Sequence, residues 1–65
     1  MKITVNGTSQ TTAATTLDAL LVELGHGSAK VATAVNEEFI PAAIRPKQRL
    51  YEGDRIEIVA PRQGG

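Results

Sequence analysis

The sequence contains no cysteine or tryptophan, and its aromatic residues are only Phe39 and Tyr51. Without cysteine the chain has no disulfide, no thiolate metal ligand and no cysteine nucleophile. Small domains from oxidising compartments usually rely on disulfides for stability, so we expect a cytoplasmic protein. Two aromatic side chains are also too few for a platform on which nucleic-acid bases stack.

Net charge and long apolar runs are missing as well. Seven Lys and Arg balance seven Asp and Glu among the 65 residues. A chain without net charge has no general attraction to nucleic acid or to an anionic membrane. No segment approaches the ~20 apolar residues that a membrane span needs, and no signal peptide is visible. We therefore expect neither nucleic acid nor a membrane as a partner.

The residues needed for catalysis are scarce too. The only histidine, His26, lies between Gly25 and Gly27. This position is typical of a loop after a helix, and one histidine without nearby cysteines does not make a metal site. Neither a Ser/His/Asp arrangement nor the length for an enzyme cleft is present. We expect a protein that is not an enzyme and binds no metal.

The first segment predicts a hairpin. Ile3 and Val5 alternate with polar residues, which is typical of a strand with one apolar face. Asn6-Gly7 supplies the positive φ angles of a tight turn, and the β-branched stretch 8–12 would be the returning strand.

A helix follows. Four leucines recur at i, i+3, i+4 and i+7 and so share one helix face. They are Leu17, Leu20, Leu21 and Leu24. Either Thr15 or Thr16 can cap the helix start, Asp18 suits the positive end of its dipole, and Gly25 can end it.

The second half predicts three more strands. Segment 30–36 reads as a mostly buried strand, with either Val31, Thr33 and Val35 or Ala32 and Ala34 facing the helix. Glu37-Glu38 would form a solvated turn. Phe39-Ile40 would begin a short strand that Pro41 confines to a sheet edge or end.

The last part of the chain predicts a short irregular segment and a final strand. "AIRPKQRL" should be a loop or helical turn anchored by Ile44 and Leu50. After the turn "EGD", Ile56 and Ile58 alternate inward along the closing strand. The order of elements predicts an α+β roll, with one main helix packed across a mixed sheet of four to five strands. Residues 1–60 would form this domain and residues 61–65 a flexible tail.

One cluster of basic residues and one terminal pair stand out. The basic residues are Arg45, Lys47 and Arg49, with Arg55 expected nearby. They form either a solvated face or a docking patch for a protein partner. Gly64-Gly65 is either a frayed end, a cloning remnant or a functional terminus.

Four stretches together resemble a known family. "TLDALLVELG", "AVNEEFIP", "LYEGDRIEI" and the final "GG" occur in the order seen in the sulfur-carrier proteins of thiamine biosynthesis, the ThiS family. The resemblance implies a ubiquitin-like β-grasp fold and a free monomer that binds no cofactor itself. It also implies partners, namely an E1-like adenylyltransferase that uses ATP and magnesium, a cysteine desulfurase or other sulfur donor, and thiazole synthase.

The resemblance also implies roles for the tail residues. Gly65 would be adenylated and converted to a thiocarboxylate, while the preceding residues thread into partner active sites. These preceding residues are Pro61, Arg62, Gln63 and Gly64. Three alternatives stay open: a sulfur carrier for molybdopterin or another metabolite, a ubiquitin-like modifier that Gly65 joins to a target lysine, and a plain interaction domain with an inert tail.

Overall fold

Two hairpins and the last strand of the chain form one mixed sheet, which carries an α-helix on one face. A computed structural model describes residues 1–27 and 30–60. Its strands are β1 Lys2–Val5, β2 Thr8–Thr11, β3 Ala32–Val35, β4 Glu38–Ile40 and β5 Arg55–Val59. The α-helix α1 spans Leu17–Glu23, and a 3-10 helix spans Ala42–Lys47.

The sheet places the last strand in its middle. The strand order is β2-β1-β5-β3-β4, with β1 and β5 parallel and the other neighbouring pairs antiparallel. The predicted α+β roll with one helix on a mixed sheet is confirmed. Because β4 is an edge strand and ends at Ile40, Pro41 removes no hydrogen bond from the ladder, as expected.

Both hairpins turn through two residues with positive φ. Asn6 and Gly7 have φ of 49° and 83°, which confirms the predicted tight turn. In the second hairpin these residues are Asn36 and Glu37, with φ of 50° and 72°. The prediction of a Glu37-Glu38 turn is therefore wrong by one residue, since Glu38 begins β4. A glutamate with positive φ gives no local signal of the kind that glycine gives.

The helix begins and ends with well-defined caps. The hydroxyl of Thr16 accepts a hydrogen bond from the Ala19 amide at 3.2 Å, so Thr16 and not Thr15 is the N-cap. At the other end the Gly25 amide bonds to the Val22 carbonyl and the His26 amide to the Leu21 carbonyl. These two hydrogen bonds form a Schellman motif, in which Gly25 takes the left-handed conformation with a φ of 86°.

The core lies between α1 and one face of the sheet. Its buried apolar residues are Ile3, Val5, Ala14, Leu17, Leu20, Leu21, Val35, Ile40, Leu50, Ile56 and Ile58. In β3 the residues Thr33 and Val35 are buried, so the set Val31, Thr33 and Val35 faces the helix.

Leu24 and Ile44 are less buried than the sequence predicts. Leu24 follows the helix as its C-cap and is only partly buried, although it still packs against the core. Ile44 is 42% exposed, so the prediction that it anchors the segment after β4 is wrong. Leu50 is buried as expected. The 3-10 helix is instead held by the side chain of Arg45, described below.

Candidate functional site

The chain leaves the sheet at the end of its central strand. β5 ends at Val59, and Ala60 is the last described residue. The residues with predicted chemical roles lie outside the described residues: Pro61, Arg62, Gln63, Gly64 and Gly65. Their roles, and the division into a domain 1–60 and a tail 61–65, therefore stay predictions. The described part of the site is the surface around Ala60.

An apolar surface lies on the sheet face opposite the helix, beside the point where the chain leaves β5. Phe39 of β4 is 65% exposed and Val59 of β5 is 62% exposed. Ala32 and Ala34 of β3 lie between these strands, and their small side chains leave a depression of about 170 Å³ with Glu57 at its border. We name this feature the open-face depression. These residues are not among the predicted site residues, although the alternation in β3 and β5 indicates that Ala32, Ala34 and Val59 share the face opposite the helix.

The side chain of Arg45 is part of the internal framework. Its Nη2 donates a hydrogen bond to the Val31 carbonyl, and its Nε donates to the Thr33 hydroxyl at 3.1 Å. Thr33 is 2% exposed and donates in turn to the Ile40 carbonyl at 2.9 Å. Arg45 thus ties the 3-10 helix to β3, and Thr33 ties β3 to β4.

The four basic residues of the predicted cluster do not share one surface. Lys47 and Arg49 are exposed, whereas Arg45 is partly buried against the helix-facing side of β3. Arg55 lies on the opposite face of the sheet, since its neighbour Ile56 faces the core. It forms an exposed ion pair with Glu37 at 3.6 Å. That these residues dock a partner stays a prediction, with Lys47 and Arg49 as its exposed members outside the ion pair of Arg55.

Within residues 1–27 and 30–60, no three His, Cys, Asp or Glu side chains lie close enough together to hold a metal ion. No helix in the same ranges combines the length and the apolar character needed to cross a membrane.

Comparison with known families and structures gives a consistent result. A model of the ThiS family matches residues 3–65. A crystal structure of the thiamine biosynthesis protein ThiS from Geobacter metallireducens is similar over 100% of both chains, with a TM-score of 0.85 and 26% identity. A solution structure of a thiamine biosynthesis protein from the same organism is similar over 100% of this chain and 88% of the other, with a TM-score of 0.80 and 25% identity.

A curated relative is much longer than this chain. A protein named thiazole synthase from Paramagnetospirillum magneticum is 41% identical over 66 residues, which cover 100% of this chain. The chain spans only 20% of the length of that relative.

Proposed function

The chain belongs to the ThiS family of small β-grasp sulfur carriers, and on this premise we propose that it carries sulfur on the carboxylate of Gly65 for thiazole formation in thiamine biosynthesis. The observation that supports this most strongly is the extent of the family match, which runs to residue 65 and so includes the diglycine. A carrier of this kind needs no cysteine, since the sulfur would be bound covalently to the terminal carbonyl carbon of Gly65.

The chemistry of the terminal group requires a partner. A free α-carboxyl has a pKa of about 3.5, so it is an anion and a poor electrophile at neutral pH. In the proposed sequence an E1-like adenylyltransferase joins the Gly65 carboxylate to AMP from magnesium-bound ATP and releases pyrophosphate. Hydrosulfide, released when a thiol reduces the persulfide of a cysteine desulfurase or supplied by another donor, then displaces AMP from the acyl carbon and leaves a thiocarboxylate. The chain acts as a co-substrate, and these partners would place it in the cytoplasm.

Glycine suits both terminal positions. Residues without Cβ let a partner approach the backbone closely and accept unusual φ angles, which a narrow channel to the terminal carbonyl would require. Five residues from 61 to 65 reach at most roughly 17 Å when fully extended. That distance is enough to enter a cleft while the domain 1–60 stays outside.

The open-face depression is the second component of the proposal. A partner that takes up the tail must come close to Ala60, and the depression lies beside the strand that ends there. We expect the activating enzyme to place an apolar side chain between Phe39 and Val59.

Phe39→Ser should then weaken binding of the activating enzyme about tenfold or more, since buried aromatic anchors dominate interface energetics. Lys47→Ala together with Arg49→Ala tests the basic residues in the same binding assay.

Thiazole synthase is the proposed acceptor of the sulfur. A protein named thiazole synthase contains a region 41% identical to this chain, which supports a functional connection between the two activities. The acceptor would take the sulfur and return the Gly65 carboxylate for another cycle.

Removal of the diglycine tests the proposed function directly. The full chain and a variant lacking Gly64 and Gly65 are each incubated with the activating enzyme, ATP, magnesium and the sulfur source. Intact mass spectrometry should show one oxygen exchanged for sulfur on the full chain and no change on the variant. The melting temperatures should agree closely, because the core residues of the described ranges lie between Ile3 and Ile58.

Three outcomes would contradict the proposal. A ladder of covalent conjugates on a gel would indicate a protein modifier. Unchanged sulfur loading of the shortened variant would make the tail irrelevant. Native protein that continues beyond Gly65 and is never trimmed would have no terminal glycine to charge.

A further inference from the structure

The end of β5 is held differently on its two sides. On one side β3 pairs with β5 along four residues, as far as the pair Ala32 and Val59. On the other side the parallel pairing with β1 comprises only Thr4 with Arg55 and Val5 with Ile56. Next to Ile58 the chain of β1 has already turned into the first hairpin, at Asn6 with a φ of 49°.

The side chain of Asn6 occupies the place that β1 leaves. The Ile58 amide donates to Oδ1 of Asn6 at 2.9 Å, and Nδ2 of Asn6 donates to the Ile58 carbonyl at 3.1 Å. The Asn6 backbone amide also donates to the Ile56 carbonyl at 2.9 Å. Asn6 therefore contacts β5 through three hydrogen bonds.

The side-chain amide substitutes for the next peptide group of the strand. In a parallel ladder every second residue of one strand exchanges hydrogen bonds with its neighbour, so Ile58 is the next residue of β5 to do so after Ile56. An asparagine side chain carries one donor group and one acceptor group, like a peptide. Asparagine also tolerates a positive φ, so one residue both turns the chain and continues the ladder.

The second hairpin offers an internal comparison. Asn36 has nearly the same φ, 50°, and its Oδ1 accepts a hydrogen bond from the Arg55 amide at 3.0 Å. Its Nδ2 donates to the carboxylate of Asp54 at 3.1 Å. Asn36 therefore holds the beginning of β5, and Asn6 holds its end. Ile58 is two residues before Ala60, where the described chain ends.

We propose that Asn6 is a positioning residue, whose side-chain amide fixes the end of β5 and so sets the direction in which the tail leaves towards the activating enzyme. This inference rests on the proposed sulfur-carrier function. Without the amide, only the pairing of Val59 with Ala32 of β3 would hold the end of β5, since the N–H and C=O of Ile58 point towards Asn6 and away from β3. The tail would then start from a less defined position. Misplacement of a reacting group by 1 Å can lower a rate on the order of 100-fold.

The matched variants Asn6→Gly and Asn36→Gly test the role of the amide. Glycine accepts the positive φ at either turn, so each variant keeps its turn and loses only the side-chain bonds to β5 or its neighbour. Thiocarboxylate formation is measured as kcat/KM for the activating enzyme, at a temperature where circular dichroism shows every variant fully folded. Hydrogen exchange at the Ile58 amide is measured in parallel.

Asn6→Gly should lower kcat/KM about tenfold or more and speed exchange at the Ile58 amide, because the tail loses its fixed origin. Asn36→Gly should lower the melting temperature to a similar extent but keep kcat/KM within about twofold of the unchanged chain. Asn6→Asp gives a second reading should Asn6→Gly fold poorly. Aspartate keeps an acceptor for the Ile58 amide but places a carboxylate oxygen opposite the Ile58 carbonyl, so it should also lower kcat/KM.

Equal losses of kcat/KM in Asn6→Gly and Asn36→Gly would overturn the inference, since Asn6 would then act only through stability. Unchanged kcat/KM in Asn6→Gly or in Asn6→Asp would overturn it as well. Sulfur loading of the unchanged chain distinguishes a failure of the proposed function from a failure of the inference about Asn6. If it gains no sulfur at all, the proposed function fails and the positioning role fails with it, whereas loading of the unchanged chain with equal variant losses removes only the role of Asn6.

Discussion

Arg45 shows how the environment of a single residue decides its role. In the sequence it stands among exposed cations, next to Lys47 and Arg49. In the structure its guanidinium donates to the Val31 carbonyl and the Thr33 hydroxyl. Arginine suits such a position because its planar group offers several donors in a fixed geometry. A variant of Arg45 would therefore mix any docking effect with a loss of stability.

Thr33→Val tests the hydrogen-bond chain from Arg45 to β4. Valine fills nearly the same volume but neither accepts from Arg45 nor donates to the Ile40 carbonyl. We expect the free energy of unfolding to fall by about 1–3 kcal/mol, because a buried polar group left without its partner costs that much. For a domain of this size, each 1 kcal/mol corresponds to a decrease of roughly 4–8 °C in melting temperature.

Thr11→Val is the control for this variant. Thr11 is exposed on the edge strand β2. Replacing it with valine should change the melting temperature little, since surface substitutions usually change stability by less than about 0.5 kcal/mol. A Thr33→Val protein as stable as the Thr11→Val protein would show that the buried hydroxyl contributes nothing.

The stability of the two-turn helix α1 depends strongly on the caps at its two ends. It spans only Leu17–Glu23, shorter than the ~12–15 residues at which isolated helices become even marginally stable. Its stability must therefore come from packing and capping. Leu17, Leu20 and Leu21 supply the packing, and Thr16 and the turn at Gly25 supply the caps.

Thr16→Ala should remove the N-cap hydrogen bond to the Ala19 amide. The expected loss of unfolding free energy is about 0.5–2 kcal/mol. Thr15→Ala is the matched control, since the Thr15 side chain is exposed and its contact with Leu50 runs through the backbone carbonyl. Urea unfolding of both variants measures the difference. Equal midpoints would mean that Thr16 does not act as a cap.

At the scale of the whole molecule, a single small core limits stability. Globular domains are stable by roughly 0.05–0.15 kcal/mol per residue, which corresponds to about 3–10 kcal/mol for 65 residues. A single substitution in the core can therefore remove a large part of the free energy of unfolding. The proposed function does not require a more stable domain, because the chemistry would take place on the tail and in the active sites of partners.

Leu20→Ala should bring the domain close to unfolding. Leu20 has 0% exposure, and removing such a side chain costs about 2–5 kcal/mol. Val22→Ala on the same helix should change stability by about 0.5 kcal/mol or less, because Val22 is 64% exposed. Thermal unfolding followed by circular dichroism compares the two. A cooperative Leu20→Ala transition at the melting temperature of the unchanged chain would contradict the assigned core.

Much of the fold could be predicted from the sequence because the relevant signals are local. The alternation at Ile3 and Val5, the leucine spacing and the Asn6-Gly7 turn each report a backbone period or φ angle within a few residues. The importance of the diglycine came from a resemblance to a family, and the match to the ThiS family confirms that resemblance. The roles of Gly64 and Gly65 stay predictions, since the described residues end at Ala60.

The sequence by itself determined where the helix and the main strands lie and that Leu17, Leu20 and Leu21 face the core, because hydrophobic periodicity follows from local backbone geometry. Only the tertiary structure decided the central place of β5, the face of β3 that meets the helix and the inward direction of Arg45. It also decided the contact of Asn6 with Ile58, which are separated by 52 positions. These features depend on groups far apart in the chain, whose meeting is set by burial and hydrogen bonding in the folded molecule and leaves no periodic trace in the sequence.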